Sequence, residues 1–416
     1  MKLLKALTLA LFVLCTTAAL QAQTPSPREE AEGFSKRYVE SYDSLLNTFY
    51  LRRHAHHGLR HQHQFSLEEF DAMSDSVLAR RLRAIHTVIP MTYNAEVRQF
   101  IRFYLKHMST RLDVMTTLCE FYHPMFEDAL NRYGVPEELK YLTIVESAMN
   151  PMATSRVGAA GLWQFMYSTG KLYDLEVNSV VDDRRDPYKS TVAAARHLGD
   201  LYRVFGDWQL AIAAYNCGAG NVNKAIARSG GKRTFWEIYY NLPRETRGYV
   251  PAFIAVVYVM NYYEQHGLRH EHLNLPVRSD TVGVDKDLLL TYVAEYTGME
   301  MDELRTLNPQ YRVDYIPGAS GNYTLCLPSA KIESFIANQD SIAARSADSL
   351  ERKPVVVKSQ PRATSSGGGG GKYYTVRKGD TLSSIARKHG ISVSTLKKRN
   401  GIKGDKIRVG QKLKIK

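Results

Sequence analysis

Apolar residues recur at helical spacing through the middle of the chain. Leu139, Leu142, Thr143 and Glu146 fall at positions i, i+3, i+4 and i+7, so one helix would carry them on one face. Upstream, residues 66–133 show the same three- and four-residue period, at Leu67, Phe70, Val77, Leu78, Leu82 and Ile85. The pattern predicts a mainly helical protein in which one carboxylate, Glu146, lies on an apolar stripe.

The C-terminal 44 residues show a different order of elements. Residues 373–376 are typical of a strand, two short helical segments follow, and residues 407–415 read as a turn and a closing strand. A glycine run at residues 367–371 precedes this unit and is typical of a flexible linker. We therefore expect a large helical domain followed by a small α+β domain with the order βααβ.

The first 22 residues read as a secretory signal peptide. Lys2 and Lys5 precede an apolar stretch from Ala6 to Leu14, which is too short to span a bilayer comfortably. A lipid anchor on Cys15 is an alternative, but Leu14 occupies the position where lipoprotein signals have a small residue. We expect export to the periplasm and association with the cell wall. Peripheral association with the outer membrane stays open.

The positive charge of the chain is concentrated at one end. The formal net charge is +13, yet residues 351–416 alone contain 18 Lys and Arg against 3 Asp and Glu. With an export signal, this basic tail favours an anionic wall polymer or membrane surface over nucleic acid. We expect peptidoglycan strands as the partner, no nucleic acid, and a monomer.

Neither cysteines nor histidines form a convincing metal or disulfide pattern. Cys119, Cys217 and Cys326 are about a hundred residues apart, and no Cys-x-x-Cys pair occurs. The histidines between His54 and His63 are flanked by arginines and lack a carboxylate or thiolate to complete a ligand set. A polar connector is favoured there over a metal site. No metal and no organic cofactor are expected.

Three motifs follow Glu146 in order. Gly158 and Gly161 precede Gln164, Tyr215 and Asn216 end a helical segment, and Glu245-Thr246 precede Tyr249. Burial at a helix end would favour the neutral form of Glu146, as a general acid near neutral pH requires. Asp182, Asp183 and Asp186 are interpreted as helix caps and ion-pair partners of the neighbouring arginines.

The four motifs together resemble those of the soluble-type lytic transglycosylases, in the glycoside hydrolase family that includes goose-type lysozyme. This resemblance implies a lysozyme-like helical fold and makes Glu146 the catalytic acid/base. It assigns substrate binding to Ser147, Gln164, Tyr215, Asn216 and Tyr249. The glycine pair is interpreted as packing.

The resemblance also implies a mechanism with one carboxylate. Glu146 would protonate the glycosidic oxygen between N-acetylmuramic acid and N-acetylglucosamine, then take the proton of the C6 hydroxyl that closes a 1,6-anhydro ring. One alternative is a muramidase that hydrolyses the bond with water. It would need a second carboxylate, with Glu245 or Asp182 as the suspects. The other alternative is a non-catalytic peptidoglycan-binding protein.

The C-terminal unit closely resembles a LysM domain, a family that binds glycans containing N-acetylglucosamine. By this resemblance, the glycan would contact Gly379, Asp380, Thr381, Leu382, Asn400 and Ile402. Residues 280–328 look like a degenerate copy that lacks the Gly-Asp-Thr sequence. The expected domains are 1–22 (signal), 23–110 (helical region), 111–270 (catalytic), 280–328 (LysM-like), 329–372 (helix and linker) and 373–416 (LysM).

Overall fold

A computed structural model describes residues 66–108, 112–268, 278–357, 373–376, 380–389, 391–402, 404, 407–408 and 410–415. The signal segment with Cys15, the histidines at 54–63, the glycine run and Gly379 lie outside these ranges. The chain forms two compact units, Met1–Ser359 and Gln360–Lys416.

Helices make up most of the first unit. Its N-terminal part runs from α1 to α6, with a 3₁₀ turn at Glu137–Tyr141: α1 Leu67–Ala72, α2 Asp75–Ala84, α3 Ala95–Met108, α4 Leu112–Arg132, α5 Leu142–Ser147 and α6 Tyr167–Leu172. The next six helices are α7 Pro187–Phe205, α8 Trp208–Cys217, α9 Ala219–Arg228, α10 Phe235–Ile238, α11 Arg244–Arg247 and α12 Tyr249–Tyr262. This content confirms the predicted helical fold class.

Helix α12 is the centre of the first core. Every residue from Tyr249 to Val259 is buried, so the helix is apolar all round, as expected of a helix that other helices enclose. It packs against α3, α5 and α8. The upstream helices α1–α3 contribute side chains to this same core, including Phe70, Leu82 and Phe100. The structure therefore joins the helical region before residue 110 to the helices that follow it.

The caps of α7 and α8 follow the sequence closely. The Asp186 side chain accepts a hydrogen bond from the Lys189 amide at 2.8 Å, and Pro187 occupies the first turn. Gly206 ends α7 in a left-handed conformation, and Asp207 then caps α8 by accepting from the Leu210 amide at 2.7 Å. The first of these contacts confirms the predicted cap at Asp186.

A second core lies in the C-terminal part of the first unit. It combines β1 Ser279–Val284, β2 Asp287–Leu289, α13 Leu290–Thr297, α14 Met301–Leu307, β3 Tyr315–Pro317, β4 Tyr323–Pro328 and α15 Ser329–Arg352. Strands β1 and β4 pair antiparallel, from Ser279 opposite Pro328 to Val284 opposite Tyr323. Strands β2 and β3 form a second antiparallel pair. The predicted polar helix is α15, which buries Phe335, Ile342 and Ser346.

The second unit has the predicted βααβ order. It consists of β5 Tyr373–Thr375, α16 Leu382–Lys388, α17 Val393–Asn400 and β6 Lys412–Lys414, with β5 antiparallel to β6. Its core is built around Val376, Leu382, Ile385, Leu396 and Leu413. Across the described parts of both units, no helix is long and apolar enough to cross a membrane.

Candidate active site

Glu146 lies in the last turn of α5. Its neighbours Val145 and Ser147 are buried, and Glu146 itself is half-buried. Burial disfavours the charged carboxylate and raises the pKa of Glu146 to about 7. The group is therefore poised to give and to take a proton near neutral pH, as acid/base catalysis requires.

Two tyrosines surround the carboxyl group. The Tyr249 hydroxyl, at the start of α12, donates a hydrogen bond to Oε1 of Glu146, and this bond opposes the effect of burial on the carboxyl pKa. The Tyr215 hydroxyl, on α8, donates to the carbonyl oxygen of Trp163 at 2.7 Å. Burial and then the charge of Glu146 raise the pKa of both phenols well above the usual range. Both remain proton donors at neutral pH.

The single helix expected to carry Leu139, Leu142 and Glu146 is interrupted on both sides of α5. A 3₁₀ turn at Glu137–Tyr141 precedes it, and Ala148 and Met149 end it in left-handed conformations with φ of 56° and 63°. Their amides donate to the carbonyl oxygens of Ile144 and Thr143 at 3.1 and 3.2 Å. Such conformations cost energy for residues other than glycine, and both residues are fully buried. This turn ends the helix beside Glu146.

Ser147 and Gln164 hold the backbone around the site. The Ser147 hydroxyl lies within hydrogen-bond distance of the carbonyl oxygens of Leu162 (2.9 Å) and Thr143 (3.1 Å), so its observed bonds are to backbone rather than to the Glu146 carboxyl. The side-chain amide of Gln164 donates to the Gly161 carbonyl at 2.9 Å. The backbone of Gln164 is left-handed, with φ of 48°. These contacts fix the loop of residues 158–165, the motif loop, against α5.

Asn216 is the exposed member of the group. Its Oδ1 accepts a hydrogen bond from the buried Thr246 hydroxyl at 3.0 Å. That bond identifies which amide atom points toward Thr246. It also connects the end of α8 to α11, just ahead of Tyr249. The Thr246 hydroxyl thus orients the Asn216 side chain. Thr246 belongs to a sequence motif, but the motif alone did not indicate this role.

Trp163 of the motif loop is a core residue and does not line the cleft. Its side chain is fully buried, and its indole nitrogen donates to Thr191 Oγ1 at 2.9 Å. The ring packs beside Phe126 in the first core. Trp163 therefore anchors the motif loop to α4 and α7, while its carbonyl oxygen remains available to Tyr215.

A buried ion pair supports the motif loop from the other side. Arg184 donates from Nε and Nη2 to the two carboxylate oxygens of Asp182, at 2.9 and 2.8 Å. Its Nη1 donates to the carbonyl oxygens of Gly158 and Phe165 at 2.8 and 3.1 Å. The structural interpretation of the acidic cluster thus holds for Asp182. Asp183 pairs with Lys189 at 3.0 Å rather than with an arginine.

The two suspected second carboxylates differ in their surroundings. Asp182 is committed to Arg184 in a buried pair, and Glu245 is exposed on α11. The pKa of Glu146 responds to burial and to Tyr249, with no second carboxylate of the described residues among the causes. Within these residues, no group of three or more His, Cys, Asp or Glu side chains could hold a metal ion.

Several residues predicted to contact glycan in the C-terminal unit make hydrogen bonds or apolar contacts within that unit. Asp380 accepts a hydrogen bond from the Tyr374 hydroxyl at 2.8 Å, and Thr381 caps α16 together with Ser384. Leu382 is buried, and Ile402 packs against the same core. Asn400 donates to the carbonyl oxygens of Leu396 and Lys414 and accepts from the Lys414 amide. Leu382 and Asn400 thus have structural roles, and glycan contact at this edge stays a prediction.

Comparison with known proteins gives a consistent result for each segment. Residues 124–237 match the family described as "Transglycosylase SLT domain", and residues 374–416 match "LysM domain". Residues 278–344 match "Lytic transglycosylase MltD, LysM-like domain". The first match includes Glu146, Gln164, Tyr215 and Asn216 and ends before Tyr249.

Curated relatives extend the likeness along the chain. Membrane-bound lytic murein transglycosylase D of Escherichia coli K12 is 34% identical over 331 residues, which are 77% of this chain and 69% of that protein. The chain belongs to the family of this transglycosylase. A putative soluble lytic murein transglycosylase of Haemophilus influenzae is 38% identical over 26% of this chain and 19% of its own length. An autolysin of Enterococcus faecalis is 59% identical over 11% of this chain and 6% of its own.

Family membership confirms the predicted resemblance to the lytic transglycosylases. The roles of the individual site residues remain predictions. The sequence pointed to the residues that meet at Glu146, but it missed the supporting role of Arg184. A signal was present: Asp182, Asp183, Arg184, Arg185 and Asp186 form a dense charge cluster between two apolar segments. Such a cluster next to a motif indicates a buried network as well as helix caps.

Burial of Glu146 predicts a pH-dependent stability difference between the wild type and Glu146→Gln. Because the folded-state pKa is raised, the folded protein binds more protons than the unfolded chain between about pH 4.5 and 7. Wild-type stability therefore falls over this interval, and the Glu146→Gln variant, which is uncharged at this position, avoids the loss. We expect it to gain about 1–3 kcal/mol relative to wild type between pH 5 and 8.

Urea unfolding at a series of pH values measures this difference. Glu245→Gln, which removes an exposed carboxylate from the same domain, controls for the general effect of one charge. A Glu146→Gln gain that is flat with pH would show that the carboxyl is not desolvated.

Replacing either glycine of the motif loop by alanine should lower stability, but by unequal amounts. A Cβ on Gly161 would stand 1.7 Å from the Arg184 carbonyl oxygen, whereas one on Gly158 would meet nothing within 4 Å. Both have a left-handed φ, of 85° and 86°. Gly158→Ala should cost about 1–2 kcal/mol through backbone conformation alone. Gly161→Ala should cost more than about 3 kcal/mol. Denaturant unfolding of the two variants makes the comparison, and equal losses would contradict the close approach.

Proposed function

We propose that this protein is a peptidoglycan lytic transglycosylase. It cleaves the bond between N-acetylmuramic acid and N-acetylglucosamine and leaves a 1,6-anhydro end, in cell-wall remodelling and turnover. The observation that carries the proposal is the half-buried carboxyl of Glu146, with a pKa of about 7 and a hydrogen bond from Tyr249. The similarity to membrane-bound lytic murein transglycosylase D supports it.

The chemistry uses one carboxyl group twice. Neutral Glu146 donates its proton to the glycosidic oxygen as the bond to the anomeric carbon breaks. The resulting carboxylate then accepts the proton of the C6 hydroxyl as that oxygen bonds to the same carbon. Glu146 is restored, no water is consumed, and the tethered hydroxyl reacts at high effective concentration. Neither a metal nor an organic cofactor enters this sequence.

The surrounding residues divide the remaining work. Tyr249 orients the carboxyl and limits the rise of its pKa. Asn216 and Gln164 bind the sugar and its N-acetyl group, Tyr215 lines the cleft, and Ser147 holds the turn beneath Glu146. The muramidase alternative receives less support, because Asp182, one of the two suspected second carboxylates, is held by Arg184 in a buried ion pair.

The rest of the chain serves delivery to the wall. Residues 1–22 direct export to the periplasm, and the LysM domain at 373–416 binds glycan with Gly379, Asp380, Thr381 and Ile402 at its edge. Residues 23–110 and 111–270 form the helical and catalytic parts, 280–328 the LysM-like copy and 329–372 the helix and linker. The protein acts as a monomer at the cell wall, with peripheral membrane association that the name of the Escherichia coli relative supports.

Product analysis tests the function. Purified sacculi are incubated with wild type or Glu146→Gln, and the released muropeptides are identified by mass spectrometry. We expect 1,6-anhydro-muramic ends, one water lighter than reducing ends, from wild type and not from the variant. Reducing ends would make the protein a muramidase. Retention on sacculi without release by either protein would support a binding protein.

Tyr249→Phe should shift the pH dependence of the same reaction. The lost hydrogen bond stabilised the Glu146 carboxylate, so the pKa of the acid should rise further above about 7. Because the reaction starts from the protonated acid, the alkaline limb of the rate profile should move upward by about one pH unit, with a lower maximum. Initial rates from pH 5 to 9 measure it. An alkaline limb that stays in place would show that the Tyr249 hydroxyl does not affect the pKa of Glu146.

A further inference from the structure

An equivalent set of three hydrogen bonds occurs within the LysM-like part of the first unit, residues 278–344, and within the C-terminal unit. Asn308, at the end of α14, donates to the carbonyl oxygens of Leu304 and Cys326 and accepts from the Cys326 amide. Asn400, at the end of α17, makes these bonds with Leu396 and Lys414. The bonds establish a register between the two copies, in which Asn308 corresponds to Asn400.

This register locates, in the LysM-like part, the segment that corresponds to the predicted glycan-binding edge of the C-terminal unit. Two residues after the asparagine, Ile402 of the C-terminal unit corresponds to Gln310. Instead of lying open, the segment from Gln310 to Arg312 pairs with the loop of residues 176–184, the support loop. The Asp182 amide donates to the Gln310 carbonyl at 2.9 Å, and the Arg312 amide donates to the Val180 carbonyl at 2.7 Å. The edge is therefore occupied by the protein's own backbone.

Side chains seal the same contact. Val180 and Val181 of the support loop are buried in the second core, beside Tyr311. The Arg312 guanidinium donates to the Asn178 carbonyl at 3.2 Å, and the Tyr323 hydroxyl donates to Glu176 Oε2 at 2.9 Å. Apolar burial and hydrogen bonds together give the support loop a defined position on the LysM-like part.

The support loop carries the ion pair that holds the motif loop. Asp182 bonds to Gln310 through its amide and to Arg184 through its carboxylate. Arg184 holds the carbonyl oxygens of Gly158 and Phe165, and the Leu162 carbonyl between them is bonded to Ser147, the neighbour of Glu146. A continuous set of contacts thus runs from the LysM-like edge to the acid.

We propose that the LysM-like part is a positioning element of the active site, in which the edge at residues 310–312 supports the catalytic loops instead of binding glycan. Gln310, Arg312 and Tyr323 act through the support loop and not on the substrate. This proposal rests on the proposed function for its kinetic consequences, and its structural core can be tested without them. An error of about 1 Å in a catalytic group can cost a hundredfold in rate, so such support has a measurable effect.

Three variants of the full chain test the proposal. Val181→Ala weakens the apolar contact, and Tyr323→Phe removes the hydroxyl that donates to Glu176. Tyr292→Phe is the matched control, because its hydroxyl bonds to Ser349 within the same part of the protein and not to the support loop. Circular dichroism verifies folding, and Tyr323→Phe remains informative if Val181→Ala does not fold.

Two measurements are made on each variant. The first is the rate of anhydro-muropeptide release as a function of sacculus concentration. We expect kcat to fall about tenfold for Val181→Ala and about threefold for Tyr323→Phe with apparent KM unchanged. Tyr292→Phe should retain most of the wild-type kcat. The second is amide hydrogen exchange, which should become faster in peptides covering residues 147–166 for the first two variants only.

The outcomes separate the possibilities. Unchanged kcat and unchanged exchange in folded Val181→Ala and Tyr323→Phe would overturn the proposal. A higher apparent KM with normal kcat would also overturn it and make this edge a glycan-binding site. If wild type releases no anhydro products, the proposed function fails. Faster exchange at 147–166 in the two variants would still support the structural coupling.

Discussion

The buried pair of Asp182 and Arg184 is the contact on which the site geometry depends. A planar guanidinium presents several donors in fixed directions, and here they hold one carboxylate and two carbonyl oxygens of the motif loop. Buried ion pairs contribute little net stability, since desolvation offsets the attraction. Their value here is positional, because the bonds from Arg184 fix the directions of two backbone carbonyl groups in the motif loop.

Glu146 shows how two opposing effects set the behaviour of one group. Desolvation favours the neutral acid, and the Tyr249 hydroxyl favours the carboxylate. Burial alone would hold the carboxyl protonated and make it a poor base, whereas full exposure would leave it a poor acid at neutral pH. The balance suits a group that must act first as acid and then as base. An enzyme with two carboxylates divides these roles between separate residues.

Local sequence signals predicted the elements that local physics controls. The cap at Asp186 and the βααβ order of the C-terminal unit required only short-range patterns. Glu146 was predictable because an apolar stripe and three later motifs single it out. The break of the expected helix into a 3₁₀ turn and α5 was not predictable, because the left-handed pair at Ala148 and Met149 depends on tertiary packing.

Other features depended on contacts between distant residues. The position of Trp163 depends on Thr191, 28 positions away, which accepts its indole hydrogen bond in the core. Asn400 looked like a ligand contact, yet its amide closes a turn onto β6. Both are polar or amphipathic groups whose partner decides their role. The pairing of residues 310–312 with residues 180–182 joins segments that lie far apart in the chain, and no periodicity in the sequence indicates it.

The left-handed turn after α5 has a consequence for engineering. Glycine would relieve the backbone at Ala148 or Met149, so a search for heat-resistant variants would be drawn to these two positions. The same substitutions would remove apolar side chains from the core and loosen the chain on the side of Glu146. Tolerance to heat and rigidity of the acid are therefore in conflict at this turn, and durable variants of the enzyme are better sought at a distance from it.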